Sequence, residues 1–199
     1  MKKVIVTGGS GFIGTNLVNF LIRKKLFVIN IDKLTYSSNK YKNTIRNKFN
    51  YKFFKIDINN KKKLYALIKR YKPKAIFNLA AETHVDRSID GPKPFIHTNI
   101  NGTFSLLECL REFKKNTNIK LIHISTDEVY GDIKDNLRSN ENKNYEPSSP
   151  YSASKAAADH LVNSYIRTYK INAVISSSGT RPTSTPSRFT CIKPRYLDK

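Results

Sequence analysis

The first junction in this chain constrains its fold more than any other feature. Val4-Ile5-Val6 reads as a short buried strand and runs straight into Thr7-Gly8-Gly9-Ser10-Gly11-Phe12-Ile13-Gly14. Residues 12–22, FIGTNLVNFLI, then read as a helix with a broad apolar face. A strand feeding a helix through glycines opens a βαβ unit. The pattern recurs along the chain. Further strands are expected at 27–31, 51–56, 75–79, 120–124 and 173–175, and helices at 60–71, 94–114 and 150–169. Phe95, Phe104, Leu106, Leu107 and Leu110 are the core candidates of the long helix. This alternation predicts right-handed crossovers and an α/β, Rossmann-like, doubly wound parallel sheet of order 3-2-1-4-5-6. Residues 132–148 are polar and read as a surface loop.

Gly8, Gly11 and Gly14 are spaced G-x-x-G-x-x-G. A tight turn, close approach of a pyrophosphate and close helix–strand packing each favour a residue without Cβ. The free N–H groups at the helix start then face the phosphates. The segment therefore reads as a dinucleotide site. Asp32 ends the second strand 18 residues after Gly14. A carboxylate there accepts bonds from ribose hydroxyls and repels a 2′-phosphate, which favours NAD over NADP. Lys33 weakens that exclusion, since it can approach a 2′-phosphate. Asp57 ends the third strand, where an adenine contact and simple loop capping both fit.

Tyr151-Ser152-Ala153-Ser154-Lys155 puts a phenol and an ammonium at i, i+4 on one helical face. A nearby ammonium and an oxidised nicotinamide both favour the phenolate, which can then take a hydroxyl proton. The bland alternative is a surface pair. Ser125-Thr126-Asp127-Glu128-Val129-Tyr130-Gly131 follows the fifth strand, at the sheet end where such folds bind ligands. Thr126 can hydrogen-bond a substrate hydroxyl. Asp127 and Glu128 can take opposite proton-transfer roles if their environments differ. Turn capping is the alternative reading.

Charge is the feature most open to misreading. Lys and Arg number 36 against 15 Asp and Glu, a net +21. The basic residues are scattered and carry no interleaved aromatic platform, so solvated surface is favoured over a specific nucleic-acid partner. No apolar run is long enough to span a bilayer. Two cysteines, Cys109 and Cys191, make neither a disulfide scaffold nor a metal site, and a reducing cytoplasm is the expected setting.

Six segments carry a family resemblance: TGGSGFIG (7–14), DKLTYSSN (32–39), LAAETHVDRSIDGP (79–92), TNINGT (98–103), HISTDEVYGD (123–132) and PSSPYSASKAAADHL (147–161). With these, residues 1–175 resemble the extended short-chain dehydrogenase/reductases. Within that family they resemble most closely the dTDP-glucose 4,6-dehydratases. UDP-glucose 4,6-dehydratases share much of the pattern, and sugar-nucleotide epimerases some of it. A non-catalytic NAD-binding module is a further alternative.

The resemblance implies an internal redox cycle on a nucleotide-activated glucose. NAD takes hydride from C4 and returns it to C6, leaving a 4-keto-6-deoxy sugar. It assigns Tyr151 to the 4-hydroxyl proton, Glu128 to the C5 proton and Asp127 to the departing 6-hydroxyl. Thr126 would bind the 4-hydroxyl, and Lys155 the nicotinamide ribose. The implied cofactor contacts are Gly8, Gly11, Phe12, Ile13, Gly14, Asp32, Lys33, Leu34, Thr35, Asp57, Ile58, Leu79, Ala80, Ala81, Thr83, Thr98, Tyr151 and Lys155. Thr83 and Thr126 would also meet the substrate. Asn99 matches a position used for a water-mediated proton relay. His84, Asp86 and Arg87 match as loop or subunit contacts. A homodimer through the helices at 94–114 and 150–169 is implied.

Residues 176–199 match neither the family's next segment nor its smaller substrate domain. They are rich in Pro, Ser and Thr and read as a disordered tail. The chain thus reads as C-terminally truncated relative to that family, and little turnover is expected of it.

Overall fold

A computed structural model describes residues 1–38, 49–114, 118–131 and 143–178. Six parallel strands form one sheet: β1 (Lys3–Thr7), β2 (Phe27–Asp32), β3 (Tyr51–Lys55), β4 (Ala75–Asn78), β5 (Lys120–Thr126) and β6 (Ala173–Ser178). Their order is β3-β2-β1-β4-β5-β6, which is the expected doubly wound arrangement. The chain reverses its direction of travel across the sheet between β1 and β4. The carboxyl ends of these central strands therefore open a crevice.

Helices α1 (Phe12–Arg23), α2 (Lys61–Tyr71), α3 (Val85–Asp90), α4 (Lys93–Phe95), α5 (Gly102–Phe113) and α6 (Pro150–Tyr169) supply the layers. Val4, Val6 and Val28 pack under Val18, Leu21 and Ile22 of α1. Ile5, Ile29, Ile31, Ile76 and Leu121 form the larger core with α2, α5 and α6. The near-continuous apolar strands follow from burial on both faces.

The long helix contains a π-helical turn, Ile96–Asn101, between α4 and α5. It brings both Thr98 and Asn99 inside. Phe95, Leu106, Leu107 and Leu110 are buried as expected, whereas Phe104 is 46% exposed. The core-facing residues of α5 are Thr103, Leu106, Leu107 and Leu110, and Phe104 falls on the outer side.

α3 has no counterpart in the sequence reading, because VDRSID offers no apolar period. β6 runs three residues further than expected. Ser176, Ser177 and Ser178 pair with Ile124, Ser125 and Thr126, so backbone pairing to β5 overrides the weak side-chain pattern. The expected loop at 132–148 lies outside the described residues up to 142, as does the tail from 179. Among the described residues no helix is long and apolar enough to cross a membrane.

Candidate active site

One cavity of about 550 Å³ runs along the carboxyl ends of the central strands. At one end lies the glycine turn. Gly8 has φ +68, and a Cβ there would lie 2.7 Å from the main-chain nitrogen of Ala80. A Cβ on Gly14 would lie 2.1 Å from the Gly8 carbonyl oxygen. Both positions therefore exclude side chains for reasons internal to the fold. Gly11 is different. A Cβ there would meet only the Gly8 oxygen, at 3.4 Å, so its bareness serves the cavity. Gly11 is also the N-cap of α1 and offers no side-chain cap, which leaves the first N–H groups free to face a ligand.

Asp32 sits at the end of β2. Its Oδ2 accepts from the Ser10 N–H at 2.9 Å and its Oδ1 from the Leu34 N–H at 2.7 Å. The carboxylate thus clamps the glycine turn to the next loop. Lys33 is engaged by neighbouring side chains. Its Nζ lies 3.2 Å from Glu82 Oε1 and donates to Thr98 Oγ1 at 2.9 Å. Asp57 is the loop cap foreseen as one alternative. Its Oδ1 accepts from the Asn59 N–H and from Asn59 Nδ2, both at 2.9 Å, while the residue also lines the cavity. Burial would raise its pKa, but the Asn59 bonds and the Lys33 and His97 charges hold it below the usual carboxylate range.

The other end of the cavity holds Thr126, Glu128, Tyr151 and Lys155. α6 presents the last two. Ser149 caps it in a reciprocal capping box with Ser152, and Pro150 occupies the first turn. The Tyr151 N–H donates to Ser88 Oγ of α3 at 3.1 Å, and the Phe95 ring meets the Tyr151 ring edge-on. Tyr151 and Lys155 are 7% and 5% exposed, so they are not a surface pair. Lys155 Nζ donates to the Ile124 carbonyl at 2.5 Å.

Burial pushes the Tyr151 phenol up to about 12, against a hydrogen bond with Thr126 that lowers it. The nearby Asp159, Glu128 and Asp127 carboxylates raise it further. The ligand-free phenol is therefore protonated at neutral pH. The phenolate expected from the sequence requires an oxidised nicotinamide as well as the ammonium, and no nicotinamide acts on this ligand-free phenol. Burial also raises Glu128, and the charge of Asp127 adds to this. A raised carboxylate is a stronger base once ionised. Thr126 Oγ1 accepts from the Glu128 N–H at 3.3 Å, so it also caps the 3₁₀ turn Asp127–Tyr130.

The cavity lining includes Gly8, Gly11, Phe12, Ile13, Gly14, Asp32, Lys33, Thr35, Asp57, Ile58, Leu79, Ala80, Ala81, Thr83 and Thr98, alongside the four residues at its far end. Leu34 and Asp127 do not line it. Leu34 takes a left-handed turn at φ 60 that gives its N–H to Asp32. Asp127 lies beside Thr126, whose hydroxyl donates to its Oδ1 at 3.4 Å. Ser37, Ser38, His84 and Ser125 join the lining without having been foreseen as contacts. The Asn99 side chain is fully used. Its Oδ1 accepts from the Glu82 N–H, and its Nδ2 donates to the Glu82 carbonyl and to Ser154 Oγ. Arg87 stacks on Tyr36, with its guanidinium 3.9 Å from the ring centroid, and His84 packs against the same ring.

Residues 5–189 match the family described as GDP-mannose 4,6 dehydratase. The chain belongs to that family. A dTDP-glucose 4,6-dehydratase of Haemophilus influenzae is 46% identical over 187 residues, covering 89% of this chain and 55% of its own length. The dTDP-glucose 4,6-dehydratase of Bacillus anthracis, solved in complex with NAD, superposes with a TM-score of 0.79 at 40% identity. That match covers 89% of this chain and 55% of the solved one. A Streptomyces venezuelae dTDP-glucose 4,6-dehydratase, also solved with NAD bound, gives a TM-score of 0.81 at 36% identity, over 88% and 55% of the two chains. This member of the GDP-mannose 4,6 dehydratase family thus spans about half the length of the relatives it matches.

Proposed function

We propose that this chain carries the cofactor and proton-transfer machinery of an NAD-dependent 4,6-dehydratase for a nucleotide-activated glucose, with dTDP-glucose as the first candidate. The observation that carries the reading is the single cavity joining the bare Gly8–Gly14 turn to Thr126, Glu128, Tyr151 and Lys155. NAD fits the residues present. The glycine turn leaves room for a pyrophosphate, Asp32 stands where ribose hydroxyls would lie, and Lys33 is engaged by Glu82. NAD bound there supplies a reversible acceptor for the C4 hydrogen of the sugar.

The protein's own groups move the protons. Thr126 orients the sugar 4-hydroxyl, and Tyr151 accepts its proton at the phenolic oxygen. Lys155 supplies positive charge beside that oxygen and donors for a ribose. The 4-keto group acidifies the C5 hydrogen. Glu128 removes that proton, and Asp127 protonates the 6-hydroxyl as its C–O bond breaks, so that water leaves; with the hydride restored at C6, Glu128 returns its proton to C5 and the 4-keto-6-deoxy sugar results. The upward shift of Glu128 makes it a stronger base once ionised, and Asp127 is the neighbouring carboxyl left for the 6-hydroxyl. The Asp127–Glu128 pair also favours a dehydratase over a C4 epimerase, whose reaction leaves the C5 hydrogen in place.

The relatives are about twice as long, and turnover by this chain is proposed to be low. A homodimer and a cytoplasmic setting complete the reading, with no specific nucleic-acid or membrane partner. Exposed Ile96 and Phe104 on the long helix support the dimer. The purified chain should bind NAD in a fluorescence titration. Incubation with dTDP-glucose and UDP-glucose should then yield a 4-keto-6-deoxy product, more from the former. Failure to bind NAD, or formation of a C4 epimer instead, overturns the reading.

A further inference from the structure

His123 of β5 and Asp159 of α6 are fully buried and have no role in the chemistry above. Asp159 follows Lys155 by one helical turn. The hydrogen-bond directions around them fix their protonation. The Ala80 N–H donates to Thr7 Oγ1 at 3.3 Å, so the Thr7 hydroxyl donates onward to Asn78 Oδ1 at 2.7 Å. That orients the Asn78 amide, whose Nδ2 donates to His123 Nδ1 at 3.0 Å. Nδ1 is therefore an acceptor, and the ring proton sits on Nε2. Nε2 faces Asp159 Oδ1 at 3.4 Å, and neither atom has another partner. Asp159 Oδ2 accepts from the Ser125 hydroxyl at 2.5 Å and the Tyr145 hydroxyl at 3.1 Å.

Every group around Asp159 thus points a donor at it, which is the environment of an ionised carboxylate. His123 cannot be its balancing cation. Burial pulls the imidazole down, and the Lys155 charge does so further. The cation that remains is Lys155, itself 5% exposed. An isolated ammonium at that depth is costly, and a buried opposite charge offsets the cost. Burial lowers Lys155, and the Asp159 charge opposes that fall.

We propose that Asp159 is a positioning residue for the site, a buried carboxylate held by His123, Ser125 and Tyr145 that keeps Lys155, one helical turn away on α6, an ammonium. It deepens the function proposed above and rests on that reading for its catalytic consequence. The titratable groups around the pair are His123 on β5, Asp127 and Glu128 on the 3₁₀ turn, Tyr145 ahead of α6, and Tyr151 on α6. Among the described carboxylates there, Asp159 is the fully buried one, and it accepts from two hydroxyls.

The test is a titration of Lys155 in the 199-residue chain. Lysine labelled with ¹³C at Cε gives a signal that Lys155→Arg identifies. In Asp159→Asn the Lys155 midpoint should fall by about one pH unit, the effect of losing a buried opposite charge one helical turn away. An unchanged midpoint in a folded Asp159→Asn protein overturns the proposal. If that variant fails to fold, the double variant Asp159→Asn/Lys155→Met decides. A buried charge pair predicts that deleting both charges restores folding, and a double variant no better than Asp159→Asn overturns it. The titration needs no ligand, so a chain that binds no NAD would refute the cofactor reading without altering this result.

Discussion

Lys33 Nζ lies 3.2 Å from Glu82 Oε1, and the pair engages the basic side chain that follows Asp32 in the cavity lining. Glu82 is buried and also accepts from the Tyr36 hydroxyl, so its position is well held. While it holds, the contact occupies the ammonium that would otherwise meet a 2′-phosphate. Glu82→Gln releases Lys33. Its affinity for NADP relative to NAD should rise by about fivefold, the scale of a partly exposed ion pair. Parallel titrations with the two cofactors check this. An unchanged ratio would show that Asp32 alone sets the preference.

Gly11 and Gly14 separate ligand recognition from packing. Gly14→Ala drives a Cβ into the Gly8 carbonyl at 2.1 Å, backbone against backbone. It should cost about 1–3 kcal/mol of stability, as overpacking does, and lose NAD binding with it. Gly11→Ala meets nothing closer than 3.4 Å. Its Tm should stay near that of the unaltered chain while NAD affinity falls at least tenfold. Thermal denaturation with and without NAD distinguishes the two. Equal loss of Tm in both variants would place Gly11 in the fold and not at the ligand.

The parts legible from sequence are those whose residues are neighbours in sequence. The glycine turn, the Thr126–Glu128 segment and the Tyr151–Lys155 pair each lie within a few positions, and the apolar strands order themselves by known crossover rules. What escaped depends on contacts between distant segments. Lys33 meets Glu82, Asp159 meets His123, and neither pairing leaves a pattern along the chain. The serines ending β6 look like loop until β5 lies beside them. Phe104 looks like core because hydrophobicity does not reveal which side of a helix is covered. Asp57 is the loop cap, and the same residue lines the cavity.

The Tyr151 phenol, raised to about 12 by burial, makes a prediction about alkaline stability. Its unfolded value is about 10. The folded state therefore holds the proton more tightly between those two values. The stability this contributes is complete below pH 10 and is lost as pH rises toward 12. Tyr145 and Tyr165 are raised by burial too and act in the same direction. Denaturant midpoints measured from pH 8 to 11.5 should fall, and the fall should be shallower in Tyr151→Phe. Adding oxidised NAD brings a positive charge to the cavity and should lower the phenol's titration midpoint, read as phenolate absorbance in the difference between the native chain and Tyr151→Phe. A midpoint indifferent to NAD would mean the nicotinamide does not lie beside Tyr151.

Phe104 is 46% exposed and Ile96 45% exposed on successive parts of the long helix, while Leu106, Leu107 and Leu110 fill the core behind them. Large exposed apolar side chains along one helix are what a partner surface buries. If two copies of this chain meet there, Phe104→Glu places two carboxylates in the interface. Its effect on the isolated fold should be within about 0.5 kcal/mol, as for a surface change. Sedimentation at micromolar concentration should show a dimer for the native chain and a monomer for the variant, with the far-ultraviolet spectrum unchanged. Leu107→Ala is the contrasting control. It should cost about 2–5 kcal/mol through a core cavity and leave the association face intact. A Phe104→Glu protein that still sediments as a dimer would exclude this face of the helix as the interface.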